Sequence, residues 1–183
     1  MSRLSQPSLM TSAAVDHAYA DQTPFLGVTT LLRDLGGPKQ PFAMLLLEID
    51  RPAAGQARFD DTTGERLIQL AALRARRIVG DCVVARLGAS RLVVLLEGPV
   101  DEIAAVAITG RLHDALRGPF DVAHTETFVT TSIGIGLGDW NTEPATVLRH
   151  SERALERVRA NGGDATAVEP GRRLFELACE SAA

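Results

Sequence analysis

The sequence predicts an α+β fold, a ferredoxin-like βαββαβ core with a central antiparallel sheet and surrounding helices. Three observations lead there. A nearly all-apolar octapeptide, Phe42–Ile49, lies between Pro41 and Pro52. It is too short for a core helix and reads as a buried central strand. Two β-rich runs, Cys82–Leu87 and Leu92–Leu96, flank Gly88-Ala89-Ser90-Arg91 and form a hairpin candidate. Helical periodicity fills the gaps, so the order is strand, helix, strand, strand, helix, strand. The split βαβ plan puts the helices on one face of the sheet.

Residues 1–20 are small and polar and read as an N-terminal arm. Leu26–Leu35 has helical spacing and stops at Gly36-Gly37-Pro38. After the Phe42–Ile49 strand, residues 51–61 form a loop. Thr62 and Glu65 have the spacing of a capping box. The helix that follows carries Leu67, Leu70, Ala71 and Ile78 on one stripe, with Arg74, Arg76 and Arg77 towards its C-terminal end. Asp101 caps a second helix, with Ala105, Ile108, Leu112 and Leu116 at core spacing. A Thr-rich strand, Phe128–Leu137, contains Ser132-Ile133-Gly134-Ile135-Gly136. The last core helix puts Val147, Leu148, Ser151, Ala154, Leu155 and Val158 inward and ends at Gly162-Gly163. Residues 170–183 form an amphipathic C-terminal helix or tail with Leu174, Phe175, Leu177 and Ala178 as its apolar stripe. One domain, residues 21–169, accounts for the rest.

Composition narrows the function classes. The 183 residues carry 19 basic and 23 acidic side chains, net −4, which disfavours a nucleic-acid face. With six Phe, one Trp and one Tyr, a stacking platform for single strands is not expected. Cys82 and Cys179 lie far apart, no CxxC occurs, and no structural zinc site is expected. No apolar run approaches the ~18 residues of a membrane span. Ala18-Tyr19-Ala20 imitates a signal cleavage site, but no apolar stretch precedes it. The expected location is the cytoplasm. His17, His113, His124 and His150 share no motif, and no nucleophile–base pattern is evident.

Local motifs go further. Arg86–Leu96, RLGASRLVVLL, resembles the signature hairpin of GGDEF domains, the diguanylate cyclase family, whose turn reads Gly-Gly-Asp/Glu-Glu-Phe. Leu45–Asp50, LLLEID, resembles the family's first strand, which ends Asp-x-Asp. Phe59 and Gly64-Glu65 stand where the family has a loop aromatic and Gly-Asp. Ser132–Gly136 matches its Ser-Ile-Gly-Ile-Gly strand, and Glu152–Gly162 resembles its closing helix. Asp21 and Leu26 fall in its opening motif. The resemblance spans residues 21 to 168 and implies the cyclase-like fold.

It also implies a site, and the departures from it decide the expected function. Working cyclases hold Mg²⁺ between a first-strand carboxylate and a turn carboxylate, as a hard cation requires. The first position falls on Glu48, a lengthened and weak candidate ligand. The turn falls on Gly88-Ala89-Ser90-Arg91-Leu92, so Ser90 replaces the carboxylate and Arg91 the following Glu. The first-loop phosphate Lys falls on Ala53, the later Lys on Arg159 and a following Arg on Gly163. The guanine-reading Asn and Asp fall on Gln56 and Glu65. The Arg-x-x-Asp product-inhibition motif is out of register, with Arg77 and Asp81 nearest.

The expected function is therefore a degenerate, catalytically inactive GGDEF-like regulatory domain acting through a protein partner in bacterial cyclic-di-GMP-type signalling. Its degenerate positions are Glu48, Ala89, Ser90 and Arg91. Against this stands the plain reading of Arg91 as a solvated turn residue. The alternative is a receptor that holds GTP or cyclic di-GMP without turnover, using Gln56, Glu65 and Arg159, with arginine charge in place of metal. The capping box gives Glu65 a competing role. A residual enzyme would need Glu48, Asp50, Asp60 and Asp61 to gather a divalent ion. No cofactor is expected, and Mg²⁺ enters only with a surviving nucleotide. Family sites form across two domains, so a homodimer is a further expectation.

Overall fold

A computed structural model of the chain describes residues 26–27, 40–50 and 61–169. Eight strands and three helices occur among these residues. They are β1 (Leu26–Gly27), β2 (Phe42–Ile49), α1 (Asp61–Val79), β3 (Val83–Arg86), β4 (Arg91–Glu97) and α2 (Glu102–Arg117). Then come β5 (Phe120–Val122), β6 (Thr125–Thr127), β7 (Thr131–Gly138), α3 (Pro144–Ala160) and β8 (Thr166–Glu169).

The main sheet has the order β1-β3-β4-β2-β7-β8. Its inner four strands are antiparallel neighbours, and β2, β3, β4 and β7 give the predicted βαββαβ core. The short outer strands are parallel additions, β1 on β3 and β8 on β7. β2 is central because both its faces are apolar: Phe42 to Leu47 are buried without a break. A polar side chain on either face would have pushed it to an edge.

Alternation along β2 sends its side chains into two cores. Ala43, Leu45, Leu47 and Ile49 pack with Leu67, Ile68, Ala71 and Ala75 of α1 and with Ala105, Leu112 and Leu116 of α2. Phe42, Met44 and Leu46 face the other way and pack with Val147, Leu148 and Leu155 of α3. The expectation of helices on one face is thus corrected. The two crossover helices share one face, and α3, which follows the last core strand, seals the other. An exposed face carrying Phe42, Met44 and Leu46 would be too apolar to leave in water.

Local predictions fared unevenly. Asp101 caps α2 and accepts the Ala104 amide at 2.7 Å. The six inward residues of α3 are the predicted six. On α2, Thr109 is buried and Ile108 only partly so. Thr62 lies inside α1 rather than before it, because the helix already begins at Asp61. Leu26–Gly27 is strand rather than helix, since pairing with Ala85 and Arg86 of β3 overrides its local spacing. Residues 28–35 of that stretch, the 1–20 arm, Ala53, Gln56, Asp60 and the 170–183 tail lie outside the described residues. No helix among the described residues is long and apolar enough to cross a membrane.

Candidate functional site

Strand register places the site at one end of the sheet. Glu48, next to last in β2, stands opposite Arg91 of β4 on one side and Ser132 of β7 on the other. The hairpin turn closes through the Leu87 amide on the Arg91 carbonyl at 2.9 Å. The Ile49 amide binds the Ser90 carbonyl at 2.9 Å, which pins the turn to the end of β2. Ala89 is exposed at the tip.

Arg91 folds back onto Glu48. Its Nε and Nη2 each lie 3.1 Å from Glu48 Oε2. Arg159, from the last turn of α3, brings its Nε to 3.6 Å of the same oxygen. One carboxylate therefore meets two guanidinium groups. Glu48 keeps only 16% of its side-chain exposure, so its lone pairs are largely used within the protein. Arg91 is thus an ion-paired residue rather than a solvated turn residue.

These residues do not fit Mg²⁺. A bound divalent ion needs several oxygen ligands and tolerates no cation at contact distance. The turn offers the neutral Ser90, and the strand acid opposite it, Glu48, is covered by Arg91 and Arg159. Among the described residues no group of three His, Cys, Asp or Glu is placed to hold a metal.

Asp50, the second acid of the strand end, has a different occupation. It accepts Thr130 Oγ1 at 2.8 Å, Ser132 Oγ at 2.7 Å and the Asp164 amide at 3.2 Å. It ties β2, the start of β7 and the α3–β8 turn together. Gly163 belongs to that turn with φ of +78°, and a Cβ there would sit 3.1 Å from Ser132 Oγ. The backbone and the space both favour glycine at this position. The Ser132–Asp50 contact was the structural content of two motifs, and neither alone announced it.

Glu65 is also committed elsewhere. Its Oε1 accepts Arg86 Nη1 at 2.6 Å and Gln69 Nε2 at 3.2 Å. The Arg86 hydrogen bond holds the Glu65 carboxyl below the usual carboxylate range. This replaces the predicted capping box with Thr62 and ties α1 to the end of β3. Arg86 also donates from Nε to the Gly88 carbonyl at 2.7 Å, bracing the hairpin turn. Arg86 was missed from the sequence. Its position at the last residue before the turn, one strand from the Glu65 helix, was the available signal.

The glycines of Ser132–Gly136 have a packing cause. A Cβ on Gly134 would lie 2.1 Å from the Ser151 carbonyl, and one on Gly136 2.2 Å from the Val147 carbonyl. The strand uses glycine so that the α3 backbone can lie directly on it.

Comparisons with known proteins agree with this fold. The sequence profile described as "Diguanylate cyclase, GGDEF domain" matches residues 26–165. Uncharacterized proteins of Mycobacterium bovis and Mycobacterium tuberculosis are 29% identical over 134 residues, 72% of this chain. The chain spans 22% of the length of those relatives. Among solved structures, an EAL/GGDEF domain protein from M. capsulatus is 25% identical, with a TM-score of 0.66 over 77% of this chain and 94% of that one. The GGDEF domain of YfiN from Pseudomonas aeruginosa has a TM-score of 0.66 at 22% identity, over 77% of this chain and 89% of that one. The diguanylate cyclase SiaD of the same organism, solved with its activator SiaC, has a TM-score of 0.66 at 16% identity, over 85% of this chain and 64% of that one. The βαββαβ order, the signature hairpin paired to the acidic end of β2 and the profile match over most of the chain together establish that this protein belongs to the diguanylate cyclase GGDEF family.

Proposed function

We propose that this domain, residues 21–169, is a catalytically silent member of the family that acts in the cytoplasm, in cyclic di-GMP signalling, through contact with a protein partner. One observation carries the reading: Arg91 and Arg159 converge on Glu48. Where a metal-binding carboxylate pair would be needed, the chain presents an internal ion pair with surplus positive charge. Ala89 and Ser90 then form a braced turn whose exposed tip, Ala89, is free to meet a partner, while Arg91 anchors its base on Glu48. A structural relative, SiaD, is held by an activator protein, which supports a partner as the mode of control. A homodimer is the other partner this reading admits.

The test is direct. Purified protein mixed with GTP and Mg²⁺ is expected to produce no cyclic di-GMP above a protein-free blank. Turnover that disappears in Glu48→Gln would overturn the reading and restore Glu48 as a ligand.

A second reading is favoured by the same convergence. Two guanidinium groups 3.1 and 3.6 Å from one oxygen could exchange that carboxylate for phosphate oxygens. This receptor would hold GTP or cyclic di-GMP without metal. Calorimetric titration with and without Mg²⁺ separates the two. Metal-independent heat that is lost in Arg159→Ala selects the receptor, and silence from a folded sample selects the interaction domain. Glu65 is a poor base reader in either case, because Arg86 already occupies its carboxylate.

A further inference from the structure

At the far end of the sheet from Glu48, helix α2 carries an apolar stripe that the described residues leave uncovered. Ile103 is 80% exposed and Val106 is 42% exposed. Ala107 and Gly110 are exposed on the same half of the helix. His113 lies two turns beyond Val106 on the same flank, at seven-residue spacing. Its Nε2 meets Thr166 Oγ1 of β8 at 3.0 Å. The stripe therefore runs along the flank of α2 that faces the β8 edge.

Direction and distance identify what lies nearest. β8 is parallel to β7, and β7 is parallel to β4 because both are antiparallel to β2. Helix α2 returns from the end of β4 towards the start of β7, so it runs opposite to β8. From Thr166 to Glu169 the strand advances three residues, about 10 Å. From His113 back to Val106 the helix covers about 10 Å. The described chain thus ends at Glu169 level with Val106, one turn from Ile103.

The segment that leaves Glu169 has the matching chemistry. Pro170-Gly171 permits a reversal, and Arg172-Arg173 follow. Leu174, Phe175, Leu177 and Ala178 then share one face at helical spacing. The N-terminus of α2, beside Ile103, is acidic at Asp101 and Glu102. Four residues span up to ~13 Å, enough to cross from the strand end to the helix. The N-terminal stretch matches less well in charge, since residues 1–25 hold one arginine, Arg3, against Asp16 and Asp21. It enters β1 at the opposite edge of the sheet, five strand spacings or about 24 Å away.

We propose that residues 170–183 fold back over α2, so that Leu174, Phe175, Leu177 and Ala178 cover Ile103 and Val106 while Arg172 and Arg173 lie towards Asp101 and Glu102. Cys179, four residues after Phe175, falls beside the contact and supplies a native thiol.

The experiment uses the full chain with Cys82→Ser, which leaves Cys179 as its single native thiol. Val106→Cys is added, and oxidised glutathione takes up the two electrons and two protons released as the new sulfur–sulfur bond forms. The expected product is an intramolecular disulfide between the introduced thiol and Cys179, within the reach such a bond demands. Arg149→Cys, exposed on α3 across the sheet, is expected not to form it. Separately, Val106→Asp is expected to speed tryptic cleavage after Arg172 and Arg173 about tenfold by releasing the segment. Three results overturn the proposal: equal cross-linking from Val106→Cys and Arg149→Cys, cross-links only between two chains, or an unchanged cleavage rate in Val106→Asp. The second would make the stripe an interface between copies.

Discussion

His113 illustrates how one side chain can carry a pH response. Its Nε2 bonds Thr166, while Nδ1 is buried without a hydrogen-bond partner. Burial pushes the ring below the usual imidazole value of 6.5, and Arg117 adds to the effect. Asp164, Asp50 and Asp114 oppose it without overcoming it. A depressed histidine favours the folded state only when neutral. Its contribution is present above the ordinary value and is lost as pH falls through 6.5, where the unfolded chain takes up the proton first. The urea midpoint is therefore expected to begin falling as the pH drops below 6.5, before most carboxylates titrate. His113→Gln should flatten that segment of the curve while leaving the chain folded at neutral pH. An equally steep decline in the variant would place the response elsewhere. Nothing in the sequence marked His113 over the other three histidines, because its environment comes from β8, which was not foreseen. Glu48 and Arg91 were legible as positions. Their contact was not, since it depends on the β2–β4 register that pairs them.

Elements differed in legibility for physical reasons. β2 was readable to the residue because burial on both faces leaves an unbroken apolar run. α3 was readable because one face packs and the other is solvated. The β5–β6 hairpin left no signal. Its turn uses Ala123 and His124 at positive φ, where Asn-Gly or Gly is the usual marker. β8, four half-buried residues parallel to β7, has neither alternation nor length. The contact of α3 with β7 yields the clearest prediction at this scale. Gly136→Ala would place a Cβ 2.2 Å from the Val147 carbonyl, against backbone that cannot rotate away. Overpacking at such a contact costs about 3 kcal/mol, because strand and helix must separate. Urea unfolding of the variant should show that loss with an unchanged slope. A cost below about 0.5 kcal/mol, the level of a surface change, would mean that α3 shifts freely on the sheet.

At the scale of the whole molecule, the two uncommon features occupy opposite ends of one rigid sheet. Glu48, Arg91 and Arg159 gather at the C-terminal end of β2. Ile103 and Val106 belong with its N-terminal end, because α2 begins just after Glu97, the residue that pairs with Phe42. Six residues of strand, about 20 Å, separate Phe42 from Glu48. The strands between are buried on both faces, and such a core is close-packed and resists small deformation. Energetic coupling over that distance needs an element with two arrangements, and close packing on both faces of these strands opposes one. The two ends should therefore act independently. Arg159→Ala removes a half-exposed charge contact and should cost no more than about 1 kcal/mol. Val106→Asp alters an exposed position at the other end. The unfolding free energy of the double variant should equal the sum of the single changes within about 0.5 kcal/mol, measured by urea titration in one buffer. A larger departure would reveal a link through the sheet, and a partner bound at one end could then be sensed at the other. Additivity would instead mean that any signal received at the Arg91 turn is read out at that same end, by the partner that binds it.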